Sequence, residues 1–250
     1  MQDQPVALIT GANQGIGLQI AKDLSAKGFT VLLGSRNIGR GEEAAKEVGP
    51  NAIALHLDVT DLASISAAAE WVRKEFGRLD VLIQNAAITT TSEDVQTPED
   101  YVKAHRPSVV SLDEMRAVWD TNVFGVLAVY QAMVPILRDT PNSRIVNVSS
   151  GAGSLTLASD PNSPMHLNFD ATYAASKTAL NGLTLAMAVE LEADGINVNA
   201  VSPGYTKTKM NPGGTDTVEE GAAEAVRVAL LGSDGRTGTF THATFGVIPW

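Results

Sequence analysis

The sequence predicts an α/β fold, a doubly wound seven-stranded parallel sheet with helices on both faces, built as a single domain over residues 1–250. Short runs of Val, Ile, Leu and Ala alternate with helical stretches almost from end to end. Continuous apolar runs of this kind are typical of parallel strands that helices cover on both faces. No internal repeat, low-complexity tract or linker divides the 250 residues, a length that suits one large domain.

The predicted elements follow one another in strict alternation. The strand candidates are residues 6–10, 30–34, 52–57, 81–85, 144–149, 196–201 and 238–242. The helix candidates are residues 16–27, 40–48, 62–76, 112–137, 171–193 and 218–231. Asp61 and Ser111 are the predicted N-caps of two of these helices, because short polar side chains accept hydrogen bonds from the unpaired N–H groups of a first turn.

Two segments interrupt this alternation. Residues 89–110 are polar and contain Pro98 and Pro107, and residues 151–170 are rich in Gly, Ser, Asn and Pro. Both follow the carboxyl end of a predicted strand, which is the edge where ligands bind in such sheets. We therefore expect them to form walls of a substrate pocket, the alternative being surface loops without a function.

Composition excludes several classes of partner. Asp and Glu number 28 against 18 Lys and Arg, and the net charge of −10 disfavours nucleic acid and anionic membranes. The chain has no cysteine, and its four histidines lack the spacing of metal ligands, so we expect no metal site. We find neither a signal peptide nor an apolar run long enough to span a bilayer, and expect a cytoplasmic protein with no membrane partner.

Gly11, Gly15 and Gly17 lie in the turn between the first strand and the first helix. Glycines here permit a tight turn and let backbone N–H groups approach a pyrophosphate, while the helix N-terminus supplies partial positive charge. The spacing is G-x-x-x-G-x-G, and a glycine cluster elsewhere would indicate an ordinary loop. Its position predicts a Rossmann-type dinucleotide site. The other residues of the turn expected to contact the cofactor are Asn13, Gln14 and Ile16.

The residues after the second strand bear on the choice of cofactor. An NAD site usually has an Asp or Glu about 20 residues past the glycines, where it bonds the ribose 2′-OH. Here Ser35, Arg36 and Asn37 occupy that place, so no carboxylate repels a 2′-phosphate and a guanidinium can bind it. These residues predict NADP(H) over NAD(H).

Tyr173 and Lys177 are four residues apart and share one face of a helix. A neighbouring ammonium favours the phenolate, so we expect Lys177 to lower the pKa of Tyr173 and permit proton transfer near neutral pH. Alone, such a pair is most often an ordinary feature of a helix surface. Its place after the glycine turn, and after a strand that ends in Ser149 and Ser150, favours carbonyl or alcohol redox chemistry.

Taken together, the segments resemble the short-chain dehydrogenase/reductase superfamily over essentially the whole chain, and within it the carbonyl-reductase branch. Matching residues occur in family order: Asp58 and Val59, Asn85 and Ala86, Asn122, Ser150, Tyr173 and Lys177, then Pro203, Gly204, Thr206 and Thr208. Gln84 and Ala87 depart from the family's Asn-Asn-Ala-Gly, and Gln14 stands where NADP-preferring members often carry Lys or Arg.

The resemblance implies an NADPH-dependent reductase that transfers a hydride directly to a ketone or aldehyde. It assigns proton donation to Tyr173 and polarisation of the carbonyl to Ser150. Lys177 would contact the nicotinamide ribose, and Asn122 would hold a water that links Lys177 to solvent. The resemblance also places Asp58 and Val59 near the adenine. In the loop that begins with Pro203 and Gly204, it implies that the later residues, Thr206 and Thr208, hold the nicotinamide carboxamide.

Two other functions stay open on the same fold. One is a non-catalytic NADP(H) sensor, and the other is a sugar-nucleotide epimerase or dehydratase. The substrate is a small carbonyl or alcohol compound, and a hydrophobic ketone would suit apolar pocket walls. Monomer, dimer and tetramer all remain open as assembly states. The pocket residues we expect, besides the two long segments, are His166, Leu167, Phe169 and Tyr205.

Overall fold

The computed structural model describes residues 4–92, 97–232 and 234–250. They form one α/β domain around a sheet in the order β3-β2-β1-β4-β5-β6-β7-β8, in which β1 to β7 pair in parallel. The predicted doubly wound parallel sheet is therefore confirmed. The strands are β1 (Val6–Thr10), β2 (Thr30–Ser35), β3 (Ala52–His56), β4 (Val81–Gln84), β5 (Arg144–Val148), β6 (Asn197–Val201), β7 (Phe240–His242) and β8 (Gly246–Val247).

Helices connect the strands and cover both faces of the sheet. They are α1 (Gly15–Ala26), α2 (Ile38–Val48), α3 (Leu62–Glu75), α4 (Pro98–Ala104), α5 (Leu112–Trp119), α6 (Gly125–Arg138), α7 (Leu155–Ser159), α8 (Tyr173–Glu190) and α9 (Val218–Ala229). Both predicted N-caps are confirmed. The Asp61 carboxylate accepts a 2.9 Å hydrogen bond from Ala63 N, and Ser111 Oγ accepts one of 3.0 Å from Glu114 N.

Three features differ from the predicted elements. The sheet has an eighth strand, β8, which pairs antiparallel with β7 and consists of two residues. The predicted helix 112–137 is divided by a π-helical turn, Asp120–Phe124, in which the backbone hydrogen bonds run from i to i+5. Each long polar segment contains a short helix, α4 or α7, and residues 93–96 of the first lie outside the described part of the chain.

The core lies in two layers on either side of the sheet. Along β1, Val6 and Leu8 face one layer while Ala7 and Ile9 face the other, because successive strand residues point to opposite faces. All four are essentially without solvent contact. Burial on both sides explains why the strands read as continuous apolar runs.

The helical stretch Leu112–Arg138 has 27 residues and contains an 18-residue window with a mean hydropathy of 1.3, so it is long and apolar enough to cross a bilayer. This corrects the expectation that no run of the chain has the length for a span. However, 56% of that window is buried inside the domain, and α6 packs against α3 and contributes Val129 and Met133 to the core. A core helix of a globular domain has the same properties, so the stretch is weak evidence for a membrane segment.

The chain after β5 is tied to the last residues of the sequence. Ser154 Oγ donates a 2.6 Å hydrogen bond to the Pro249 carbonyl, and Thr156 Oγ1 donates one of 2.7 Å to the Trp250 carbonyl. The Trp250 ring stacks on Phe240 of β7 at 5.5 Å between centroids. These contacts fix α7 against the edge of the sheet.

We expect opposite effects from two glycine-to-alanine changes within helices. A Cβ at Gly17 would lie 2.7 Å from Gly11 O and 2.5 Å from Asn85 Nδ2, whereas one at Gly182 would meet no atom within 4 Å. Gly17→Ala should therefore destabilise the fold by about 1–3 kcal/mol through overpacking. Gly182→Ala should stabilise it by about 0.5–1 kcal/mol, because glycine is the more costly residue inside a helix. Urea unfolding of both variants checks this, and a stable Gly17→Ala protein would contradict the close packing.

Candidate active site

Six segments singled out in the sequence lie at one edge of the sheet. Each follows directly on the carboxyl end of a parallel strand, and β1 to β6 all run the same way. In spatial order across the sheet the segments are residues 58–59, 35–37, 10–17, 85–86, 149–150 and 203–208. The strand order reverses between β1 and β4, and ligands bind in the crevice at such a point.

The glycine turn is fastened to the end of β4 by Thr10 and Asn85. Thr10 Oγ1 accepts hydrogen bonds from the backbone N–H groups of Asn85 and Ala86, at 2.9 and 3.0 Å. Asn85 Nδ2 donates in return to the carbonyls of Thr10 and Gly11. Gly11 and Gly15 have positive φ angles of 65° and 57°, which glycine adopts without strain. Sequence reasoning missed Thr10, although a polar residue that ends a buried strand is a usable signal.

The start of α1 has the properties of an anion site. Gln14, at its N-cap, makes no side-chain capping hydrogen bond, in contrast to the caps of α2, α3 and α5. Uncapped N–H groups and the positive end of the helix dipole favour a phosphate. A Cβ at Gly15 would lie 3.6 Å from the Thr208 methyl group, so the loop after β6 covers this turn. Asn13 and Ile16 are partly buried, and Ile16 packs against the core. The residues present therefore fit a dinucleotide.

The three residues at the end of β2, Ser35 to Asn37, differ in whether their side chains already make hydrogen bonds within the protein. Ser35 Oγ donates a 2.8 Å hydrogen bond to Asn37 O, and the Asn37 side chain caps α2 by accepting from Arg40 N at 3.0 Å. Arg36 is exposed and faces Asp58. Although partial burial alone would raise the pKa of Asp58, hydrogen bonds from Thr60 and the charge of Arg36 hold it below its usual value. Arg36 is thus an exposed cation at this end of the edge.

The other end of the edge brings together Ser150, Tyr173 and Lys177. The Ser150 hydroxyl lies close enough to the Tyr173 phenol to influence its titration, and Lys177 Nζ lies 5.6 Å from the centre of the Tyr173 ring. Lys177 is 2% exposed and its Nζ donates a 2.8 Å hydrogen bond to Val148 O at the end of β5. The structure therefore assembles the three side chains that the sequence predicted to act together.

The electrostatics of this group differ from the sequence expectation. Burial raises the pKa of Tyr173 to about 12, although the nearby Ser150 hydroxyl acts in the opposite direction. Burial also lowers the pKa of Lys177 to about 7, so the amine carries only part of a positive charge at neutral pH. The predicted lowering of the Tyr173 pKa by Lys177 is absent, because loss of solvent outweighs the attraction of a half-charged amine. In this state Tyr173 holds its proton at neutral pH.

Asn122 lies in the π-helical turn and is fully buried. Its Nδ2 donates to Ile88 O at 2.8 Å and to Ser176 Oγ at 3.0 Å, while its Oδ1 accepts from Ile88 N at 2.9 Å. Both amide donors are therefore occupied, and the side chain fixes the chain after β4 against the first turn of α8. A water held by Asn122 would need the remaining lone pair of Oδ1 or the main-chain carbonyl.

The loop after β6 turns sharply at Gly204, whose φ is 75°. A Cβ there would lie 2.5 Å from an Asp216 carboxylate oxygen and 2.9 Å from His242 Nε2, so only glycine fits. Thr206 is buried and its Oγ1 donates a 2.7 Å hydrogen bond to Pro203 O. The hydroxyl of Thr206 thus donates its proton within the loop. A ligand could be bound by the Thr206 backbone and by Thr208.

Several apolar side chains near this edge remain in contact with solvent. Leu155 and Leu167 of the segment after β5 are 54% and 82% exposed, and Tyr205 of the loop after β6 is 53% exposed. Phe169 is 36% exposed, while His166 Nδ1 donates a 2.7 Å hydrogen bond to Ala158 O and fixes its own segment. Exposed apolar groups in the segments that follow β5 and β6 fit the predicted pocket wall.

The fold and these residues define a dinucleotide-binding oxidoreductase with a Ser-Tyr-Lys site. Residues 5–219 match the family model described as short chain dehydrogenase. The sequence is 35% identical over 240 residues to the short-chain dehydrogenase anuI of Penicillium roqueforti, covering 92% of this chain and 90% of that protein. It is 32% identical over 290 residues to salutaridine reductase of Papaver somniferum, covering 94% and 93%.

Two solved structures have the same fold. Salutaridine reductase from Papaver somniferum superposes with a TM-score of 0.80 at 30% identity, over 96% of this chain and 100% of that one. The 3-ketoacyl-(acyl-carrier-protein) reductase from Brucella melitensis, complexed with NADH, gives a TM-score of 0.78 at 24% identity over 97% and 98%. The chain belongs to the short-chain dehydrogenase/reductase family, whose members bind a nicotinamide cofactor, and it is an oxidoreductase that acts on CH–OH or C=O groups.

The buried amine of Lys177 should make the stability of the protein depend on pH. An unfolded lysine keeps its proton up to about pH 10.5, whereas the folded one loses it above about pH 7. Between these values the unfolded state binds more protons, so the free energy of unfolding should rise with pH by up to about 1.4 kcal/mol per unit. Lys177→Met should lack this rise.

The measurement is urea unfolding of the wild type and Lys177→Met between pH 6 and 9.5. Lys74→Met, at an exposed position of α3, controls for removal of a surface charge. The free-energy difference between Lys177→Met and the wild type should be largest at low pH, in favour of the variant, and shrink as pH rises. A difference that stays constant over this range would contradict the buried, deprotonated amine.

Proposed function

We propose that the protein is a cytoplasmic NADPH-dependent reductase of a small ketone or aldehyde. The observation that carries the proposal is the convergence of Ser150, Tyr173 and Lys177 at the same sheet edge as the glycine turn. A sensor that only bound the dinucleotide would not require the first two of these side chains to lie close together. Relatives named as reductases, salutaridine reductase and (−)-isopiperitenone reductase of Mentha piperita, support the assignment.

The nicotinamide, when bound, supplies the hydride, and the protein supplies orientation and the proton. Ser150 is placed to donate a hydrogen bond to the carbonyl oxygen, which polarises the C=O bond and fixes its direction. Tyr173 keeps its proton at neutral pH because burial raises its pKa to about 12. A protonated phenol beside the carbonyl oxygen is a general acid, and this protonation state favours reduction over oxidation.

Lys177 lies where it can restore the proton that Tyr173 gives up. Its pKa of about 7 means that the amine both binds and releases a proton near neutral pH. The ammonium form, once present, stabilises the phenolate left after proton transfer because opposite charges attract strongly in a buried site. Lys177 therefore acts through Tyr173, and Asn122 and Val148 hold the surrounding backbone in place.

Preference for NADPH rests on the residues after β2. Ser35 and Asn37 have side chains engaged in local hydrogen bonds, so Arg36 is the group that would bind a 2′-phosphate. A guanidinium presents a planar fork of donors to phosphate oxygens. No carboxylate stands at the end of β2, where it would bond an unphosphorylated ribose.

The exposed apolar side chains of the two segments that follow β5 and β6 favour a hydrophobic substrate. Leu155, Leu167, Phe169 and Tyr205 offer an apolar surface, while Ser150 and Tyr173 are the polar groups that would fix one oxygen atom. Pockets with many apolar walls and a few placed polar groups select small organic ligands by shape. We infer a ketone or aldehyde with an apolar body.

Replacing Tyr173 by Phe tests the reductase assignment. Loss of the phenolic hydroxyl should lower kcat/KM by about 10²–10⁴-fold, the range for a positioned general acid. Binding of NADPH, followed by its fluorescence, should change little because the ring remains. The assay is the loss of NADPH absorbance with a panel of ketones, aldehydes and quinones. Wild-type turnover that survives in Tyr173→Phe would refute the mechanism, and wild-type turnover on none of the panel would favour the sensor.

Replacing Arg36 by Gln tests the choice of cofactor. The change should weaken NADPH binding by about 10- to 100-fold, the worth of charge-assisted hydrogen bonds to a phosphate, and leave NADH binding nearly unaltered. Lys46→Gln, at an exposed position near the end of α2, is the matched control for loss of one positive charge. Equal effects on the two cofactors would contradict a phosphate contact at Arg36.

A further inference from the structure

The first turn of α8, which carries Tyr173, is held by a buried carboxylate that the catalytic set does not include. Asp170 is 7% exposed, and its Oδ1 accepts hydrogen bonds of 2.8 Å from Thr172 N, 2.7 Å from Thr172 Oγ1 and 2.8 Å from Tyr173 N. Its Oδ2 accepts one of 3.2 Å from Ala174 N. Four donors thus converge on one side chain three residues before the catalytic tyrosine.

The same turn is contacted from the long segment after β4. Thr172 is fully buried, and its hydroxyl lies 3.3 Å from Tyr101 Oη on α4. Thr172 donates its single proton to Asp170, and the Thr89 carbonyl can only accept, so the one phenolic proton of Tyr101 is shared between Thr172 Oγ1 and Thr89 O, each at 3.3 Å. The Tyr101 hydroxyl therefore contacts both the start of α8 and the chain that follows β4.

A second layer holds Tyr101 in place. Its ring stacks on His105 at 4.0 Å between centroids, and His105 O accepts a hydrogen bond from Ala171 N. The His105 ring is 1% exposed, with Nε2 3.5 Å from a Glu114 carboxylate oxygen. Glu114 in turn accepts hydrogen bonds from Thr90 Oγ1 and Thr91 N. The segment after β4 is therefore locked to the residues that precede Tyr173.

We propose that Asp170 is a positioning residue for Tyr173, acting with Thr172 and Tyr101 to fix the first turn of α8 and to place a negative charge behind the phenol. The inference rests on the proposed reductase function, in which Tyr173 donates the proton. In the described part of the chain the hydrogen-bond donors on Asp170 are neutral N–H and O–H groups, so its charge is not cancelled by an ion pair. The carboxylate opposes formation of the phenolate, which keeps the proton on Tyr173.

The groups that face the Tyr173 phenol come from several elements. The Ser150 hydroxyl after β5 favours the phenolate, Lys177 lies one turn further along α8, and Tyr101 on α4 contacts the neighbouring Thr172. Asp170 raises the pKa of Tyr173 in addition to the effect of burial. Removal of its charge should therefore move the titration of Tyr173 to lower pH.

Asp170→Asn keeps the shape of the side chain and one acceptor oxygen while it removes the charge. We expect kcat to fall about tenfold, since small displacements of a catalytic group are costly, with little change in NADPH binding. The basic limb of the kcat–pH profile should shift to lower pH. Asp61→Asn, at the exposed N-cap of α3, is the matched control and should change neither quantity.

A readout independent of turnover is the titration of Tyr173 by NMR of ¹³Cζ-labelled tyrosine. The chain has 4 tyrosines, and Tyr173→Phe identifies the signal. Asp170→Asn should lower the midpoint relative to the wild type. An unchanged midpoint with unchanged kcat would overturn the proposal. The proposal would also be overturned if activity fell only in proportion to the amount of folded protein while the midpoint of the Tyr173 titration stayed the same. That result would mean that Asp170 only caps the helix.

Thr172 provides a second pair of variants in case Asp170→Asn does not fold. Thr172→Val removes the hydroxyl that joins Asp170 and Tyr101 and should lower kcat, while Thr172→Ser retains it and should restore activity. Equal activity of the Val and Ser variants would contradict the proposal. If the wild type turns over no carbonyl compound with either cofactor, the proposed function fails, and the NMR titration still decides whether Asp170 controls Tyr173.

Discussion

The backbone of the glycine turn lies so close to the end of β4 that no side chain fits between them. A Cβ at Gly11 or Gly17 would meet Ala86, Asn85 or the backbone of the turn itself. The hydrogen bonds of Thr10 and Asn85 hold this contact from both sides. The chain is thereby closely packed between β1 and β4, where the strand order reverses. The start of α1 lies at the same edge of the sheet as Ser150 and Tyr173.

That contact separates two ends of the edge with different electrostatics. At one end Arg36 is exposed and Asp58 is partly buried, and the charge of Arg36 together with hydrogen bonds from Thr60 holds the pKa of Asp58 below its usual value. At the other end burial changes both titrations, since Tyr173 keeps its proton and Lys177 loses much of its charge. A solvated cation suits the binding of a phosphate, whereas a protonated phenol in a dry place suits proton donation. One sheet edge thus provides two environments without a separate domain.

The sequence predicted most of what depends on a repeating pattern or on local chemistry. The seven parallel strands could be read because burial on both faces makes them continuous apolar runs, and the caps at Asp61 and Ser111 could be read from short-range rules. The strand β8 could not, since two residues carry no period. The π-helical turn at Asp120–Phe124 could not be predicted either, because residues 112–137 have the pattern of one continuous helix.

Features of the site that depend on tertiary contacts could not be predicted from the sequence. Thr10 and Asp170 each read as a polar residue at the end of an element, and their importance comes from partners distant in sequence or from convergent backbone donors. The lowered pKa expected for Tyr173 was wrong because the pair was treated as solvated, whereas desolvation dominates once both groups are buried. Spacing can bring two side chains together, but burial decides their charge.

The Thr208 methyl group that packs on Gly15 joins the beginning of the chain to a loop near its end. Strand β1 likewise needs β4 as a neighbour, and β6 needs β7, so nearly every boundary of the site is made by long-range pairing. Such contacts form late and cooperatively, because the entropy of closing long loops must be overcome before they stabilise the fold. During synthesis the glycine turn would therefore be covered only after the loop that contains Thr208 had emerged, about 190 residues later than the turn itself.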